Sequence, residues 1–117
     1  MVHPAVRQGF ITWADRLPPN TPFAIREAAI LFESGADEGC DIAISVSASD
    51  DVRIKRVMLR DGISESKVIE RMEKQLSDEE RANRSDFTIF NNPKDLVLEQ
   101  VIEIHQEICK RVNEEQD

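Results

Sequence analysis

Apolar residues recur along this chain at two kinds of spacing, and the switches between them predict its elements. Over residues 1–16, Val6, Phe10, Ile11 and Trp13 follow Pro4 at roughly helical intervals, and a proline suits a first helical turn, so a short helix is expected. Leu17-Pro18-Pro19-Asn20 ends it, because proline lacks the amide proton and restricts the residue before it. Phe23 to Glu27 then reads as a strand and Ala28 to Ser34 as a helical turn closed by Gly35. Cys40 to Ser47 (CDIAISVS) is a compact run of branched apolar residues, bounded by Gly39 and by Ser49-Asp50, as expected of a strand buried in a parallel sheet.

After that strand the period returns to helical. Ser49 or Asp50 can accept from the free amides of a following turn, so a helix is expected from Asp51 to Arg60, stopped by Asp61-Gly62. Ser64 caps a helix from Glu65 to Gln75 on which Val68, Ile69 and Met72 make a narrow apolar stripe. Ser77 with Glu80 forms a capping-box pattern that opens a short polar helix ending before Asp86. Phe87 to Phe90 is a short strand. From Lys94 to Asn113, Val97, Val101, Ile104 or His105, Ile108 and Val112 share one face, which predicts an amphipathic helix lying on a sheet, with residues 114–117 frayed.

Strands alternating with helices imply α/β architecture, a short parallel sheet of three strands with flanking helices. A length of 117 residues with 40% hydrophobic composition suits a single domain over 1–117. Three strands make a thin parallel sheet, so the chain reads as a piece of a larger one.

Charge and cysteine usage narrow the function classes. Lysine and arginine total 15 against 23 acidic residues, a net charge of −8, which opposes broad attraction to nucleic acid or anionic membrane. A phosphorylated ligand must therefore meet a local cationic patch. Cys40 and Cys109 form no CxxC pair and have no histidines at zinc-ligand spacing, so free thiols and a cytoplasmic setting are expected. No apolar run reaches the roughly 18 residues that span a bilayer.

The candidate patch lies on the helix after Asp50. Arg53, Arg56 and Arg60 stand at i, i+3 and i+7, which places them within roughly 60° of arc. Planar guanidinium donors match phosphate oxygens, and their charge persists at physiological pH. The alternative is a solvated face paired with Asp50, Asp51 or Asp61. A phosphate grip requires the three groups to converge and to be free of neighbouring acids. Glu33, near a predicted strand end, could orient a hydroxyl or an arginine. His3 and Arg7 are one helical turn apart and could face one site. Asn91-Asn92 could bond a base edge or simply make a turn.

Six pieces in order carry a family likeness: His3-Pro4-x-Val6-Arg7; Leu31-Phe32-Glu33-Ser34-Gly35; Asp41-Ile42; Arg56-x-x-x-Arg60-Asp61-Gly62; Gln75; and Ser85-Asp86-Phe87-Thr88-Ile89-x-Asn91. With them the chain resembles the C-terminal part of dephospho-coenzyme A kinases, which implies a partial P-loop kinase-like three-layer fold with a helical lid over about residues 62–85. The resemblance implies transfer of the ATP γ-phosphate to the ribose 3′-hydroxyl of dephospho-coenzyme A, with Mg2+ bridging phosphates. It places Arg60 and Arg56 as the catalytic cations on the lid side, Arg53 and Asn91 toward ATP, and His3, Arg7 and Glu33 toward the acceptor.

Two positions depart from the family pattern. Ala28-Ala29-Ile30 stands where a proline and leucines are common, and Pro93 where glycine is common. The larger departure is the phosphate loop, since Gly9, Gly35, Gly39 and Gly62 fit neither GxxxxGK[S/T] nor GxGxxG. The 117 residues alone are therefore expected not to turn over, and an uncovered sheet edge is expected to favour self-association. Two other readings stay open. One is a noncatalytic helical module docking a protein through the arginine ridge and the stripe of Glu65 to Gln75. The other is a P-loop kinase with a different small acceptor.

Overall fold

The computed structural model describes residues 4–28 and 31–116. The first helix, α1 (Pro4–Asp15), begins on its proline as expected. After the Pro18-Pro19 break, residues 21–28 run without regular structure, so the strand expected at Phe23–Glu27 does not form. A strand needs a neighbour to take its amides and carbonyls, and this segment is instead held by side chains. The Phe23 ring meets His105 edge-on at 5.8 Å, and the Arg26 guanidinium lies 5.3 Å over Phe10.

The expected turn before Gly35 is present in its described part. The Gly35 amide donates to the Phe32 carbonyl, Ser34 Oγ to the Leu31 carbonyl, and Gly35 takes φ 79°, a left-handed value that favours glycine. A 3-10 turn over Ala36–Gly39 follows.

The sheet has two parallel strands among the described residues, β1 (Ile44–Ser47) and β2 (Phe87–Phe90), in register Ile44 to Phe87 through Ser47 to Phe90. The expected third strand is absent, and β1 is shorter than the run that began at Cys40. Its partner sets that limit. Asp86, just before β2, receives the Ala43 amide on Oδ2 at 2.8 Å while its own amide donates to the Ala43 carbonyl at 2.8 Å, which closes the ladder there. At the other end the Asn91 amide donates to the Ser47 carbonyl.

Between the strands stand α2 (Asp50–Asp61), α3 (Glu65–Glu73) and α4 (Asp78–Arg84). Each starts on the serine expected. Ser49, Ser64 and Ser77 accept from the amides of Val52, Lys67 and Glu80 respectively. Gly62 closes α2 with φ 64° and donates its amide to the Met58 carbonyl.

The last helix, α5 (Val97–Gln116), continues through three of the four residues expected to fray. It packs on β2, where the Gln100 side-chain amide pairs with both the amide and the carbonyl of Phe90 at 2.7 and 2.9 Å, and Arg111 covers the Phe87 ring at 5.2 Å. The core is thin. Among the described residues only Ala36, Ala43, Ala48 and Val68 are buried apolar side chains, while Ile44 and Val46 on β1 remain 39% and 58% exposed.

Candidate functional site

The hydrophobic stripe of α3 docks on α2 through Val68, 1% exposed and the largest fully buried side chain described. Beside that contact the two helices leave an open cleft of about 240 Å³, lined by Arg53, Val57 and Arg60 from α2, by Val68, Arg71 and Met72 from α3, and by Gln75 just beyond it. Whole-ligand pockets usually run from about 300 Å³ upward. The cleft is of a size for part of a ligand, such as a short phosphate tail.

Its chemistry is set by three guanidinium groups over an apolar floor. Arg53 is the most enclosed: Nη1 donates to Asp78 Oδ1 at 2.8 Å, Nη2 to Gln75 Oε1 at 3.4 Å, and Asp50 lies at 3.8 Å. Arg60 makes a forked pair with Asp61, Nε to Oδ1 at 2.9 Å and Nη2 to Oδ2 at 3.1 Å, and Arg71 Nη1 reaches the same Oδ2 at 3.1 Å. The bond from Arg60, aided by Arg71 and opposed by desolvation, holds the Asp61 carboxyl below its usual value; that bond in turn raises Arg60.

The single arginine ridge expected from spacing is thus divided. Arg56 lies outside the cleft lining, and its Nη1 donates to the Asn91 main-chain carbonyl at 2.7 Å, tying α2 to the end of β2. A common helical arc aligns Cβ atoms, but long side chains follow the nearest acceptors. The pairing of Arg53 with Asp50 and of Arg60 with Asp61, expected of a solvated face, is present. Convergence of three arginines free of acids, which the phosphate grip was expected to require, is not met.

Asp78, the first residue of α4, is the other organising group. Its Oδ2 accepts from Ser47 Oγ at 2.9 Å, and Oδ1 accepts from Arg53 and from Arg81, so one carboxylate joins β1, α2 and α4. Partial burial works against its charge. The Ser47 and Arg81 hydrogen bonds and the nearby Arg53 and Arg81 charges outweigh that and hold its carboxyl below the usual range.

The remaining candidates lie apart from the cleft lining. Glu33, in the turn before Gly35, has both carboxylate oxygens out of solvent without a hydrogen-bond partner among the described residues. Arg7 is exposed on α1, and His3 lies outside the described residues. Asn91 is half-buried at the end of β2, while Asn92 receives the Ser49 amide on its side chain at 2.8 Å. Among the described residues no group of three or more His, Cys, Asp or Glu could hold a metal ion. No helix among them is long and apolar enough to cross a membrane.

Sequence reasoning passed over Arg71 and Asp78. Arg71 carried a signal, since it stands three residues after Val68 and four before Gln75 and so shares the face that docks on α2. Asp78 carries no such signal, being one of three acids in the first turn of α4, and only the fold brings Ser47 and Arg53 to it.

Comparison with known proteins covers nearly the whole chain. The family model for dephospho-CoA kinase matches residues 1–97. A dephospho-CoA kinase from Porphyromonas gingivalis is 35% identical over 115 residues, 97% of this chain and 56% of that protein. One from Salinibacter ruber is 39% identical over 93 residues, 79% and 47% of the two chains. The crystal structure of TT1252 from Thermus thermophilus superposes with a TM-score of 0.82 at 29% identity, over 91% of this chain and 55% of the other. The chain spans about half the length of the curated relatives it matches. With its model match over most of the sequence and its α/β fold shared with a solved structure, the chain belongs to the dephospho-CoA kinase family.

Proposed function

We propose that this chain serves the reaction its family is named for: the 3′-hydroxyl oxygen of dephospho-CoA attacks the γ-phosphorus of ATP, the bond to the β,γ-bridging oxygen breaks, and CoA and ADP leave as the hydroxyl proton is released. The supporting observation is the cleft between α2 and α3, where Arg71 in place of Arg56 joins Arg53 and Arg60 in a chain of net charge −8, each guanidinium paired with an acid against which a phosphate tail would have to compete. Such a patch in an acidic protein suits a phosphate tail, and in phosphoryl transfer positioning and charge stabilisation carry most of the catalysis.

In this reading Arg60 stabilises charge on the transferred group, and Arg53, braced by Asp78, holds the nucleotide phosphates. Arg56 joins them when its contact with the Asn91 carbonyl is released, and Asn91 lies toward the adenine. Residues 62–85 form the lid that excludes water, anchored at its far end where Asp78 ties α4 to β1. His3, Arg7 and the carboxylate of Glu33, which has no hydrogen-bond partner among the described residues, lie toward dephospho-CoA. The described side chains form no cation cage, so we assign no step on this chain to Mg2+, which would arrive with the ATP phosphates. The acidic surface does not favour nucleic acid or membrane, and the setting is the cytoplasm.

Calorimetric titration of ATP and of dephospho-CoA, each into the chain, tests the proposal. Saturable binding of both is expected, whereas a protein-docking module would bind neither. An acceptor panel separates dephospho-CoA from other small acceptors. These 117 residues contain no phosphate loop, so ADP release from MgATP and dephospho-CoA by the chain alone is expected to stay at background; robust turnover would contradict that part of the proposal.

A further inference from the structure

Arg60 and Arg71 come from different helices, yet both end on one carboxylate. Asp61 receives two bonds from Arg60 and one from Arg71, at 2.9 to 3.1 Å. Its side chain is only 28% exposed, whereas those of Arg60 and Arg71 are 71% and 60% exposed and keep further donors toward solvent. The fork that receives a carboxylate is the fork that receives a phosphate, because both offer oxygens at matching separation in front of a planar guanidinium.

The position of Asp61 sharpens the point. It is the last residue of α2, at the negative end of the helix dipole, where an acid is disfavoured and a base is usual. The helix does not hold this carboxylate there; the two arginines do. Both line the cleft, so the charges that would meet an anion are already occupied by one.

We propose that Asp61 is a built-in stand-in for phosphate, closing an anion seat made by Arg60 and Arg71 until an incoming phosphoryl group displaces it. The displacement exchanges the Asp61 link between the end of α2 and α3, which lie on either side of the positive-φ Gly62, for a phosphate bridge between Arg60 and Arg71, while Val68 keeps α3 docked on α2. This rests on reading the cleft as an anion site, which the test separates from the role of Asp61.

The test is calorimetric titration of the full chain with inorganic tripolyphosphate at low salt, for wild type, D61N, R71Q and D51N. Asp51 lies on the same helix, is exposed and makes no ion pair among the described residues, so D51N controls for the change in net charge. D61S serves in place of D61N should the latter not fold by circular dichroism. Removing an internal competitor of exposed-pair strength is expected to tighten tripolyphosphate binding about twofold to fivefold in D61N, with R71Q weaker than wild type and D51N near it. If R71Q weakens binding but D61N binds no tighter than D51N, Asp61 merely orients the arginines: the inference is overturned and the anion site stands. If wild type and D61N fail to bind, or R71Q binds like wild type, the site is not there and both readings fall.

Discussion

Asp78 shows how much one partly covered side chain can decide. Bonded to Ser47, Arg53 and Arg81, it fixes the start of α4 against β1 and aims Arg53 along the cleft wall. With charged hydrogen bonds lost and solvent screening allowed for, D78N is expected to cost about 1 kcal/mol at pH 7. The sign with pH follows from its lowered value. The carboxylate stabilises the fold above its unfolded value of 3.8, and that contribution disappears as pH falls through the lower folded value. Urea denaturation should therefore show the full gap between wild type and D78N at pH 7 and pH 5, narrowing below about pH 4. A gap that widens in acid would contradict this.

Glu33 presents the opposite balance. Both its oxygens are out of solvent without a donor among the described residues, an arrangement that costs stability unless a ligand supplies the partner. E33Q is expected to be more stable than wild type by about 1 kcal/mol, read by urea denaturation, and to bind dephospho-CoA more weakly. Greater stability with unchanged affinity would leave Glu33 a packing residue.

Helices were legible element by element because their signals are local. The serines at 49, 64 and 77 and the glycine at 62 specify starts and a stop through bonds reaching only three or four residues. Strands were not, because a strand is defined by its neighbour. Phe23–Glu27 has strand-like composition and no partner among the described residues, and β1 begins only where Asp86 permits. The site was half legible for the same reason: spacing put Arg53 and Arg60 on one face of α2, beside Asp50 and Asp61, but only the fold brings Asp78 of α4 to Arg53 and Arg71 of α3 to Asp61.

Val68 is the peg that makes the cleft exist. Removing two methylene-sized groups from this buried position in V68A is expected to cost about 2 kcal/mol and to loosen α3 from α2. Amide hydrogen exchange should show it as faster exchange confined to α3 and the C-terminal half of α2. Gly62, at φ 64°, should tolerate alanine less well than Gly9, which lies in α1 with no positive φ. G62A is expected to cost about 1 kcal/mol in thermal or urea unfolding.

The whole molecule is looser than its length requires. Its radius of gyration is 16.4 Å, where a compact chain of this size would have about 13 Å, and its extents are 50 × 36 × 24 Å. Ile44, Val46 and Phe90 of the two strands stay exposed, as do Leu98 and Ile102 of α5. Two-stranded sheets with open edges pair readily, so concentration-dependent association is expected by light scattering at two concentrations. A monomer at both would show that these surfaces are inert.

The central claim, that the α2–α3 cleft grips the triphosphate tail of a nucleotide, is tested most directly by titrating ATP and adenosine into wild type and R60Q. ATP is predicted to bind far more tightly than adenosine to wild type and roughly tenfold more weakly to R60Q, with adenosine indifferent to the change. Equal binding of ATP and adenosine, or ATP binding untouched by R60Q, would contradict it.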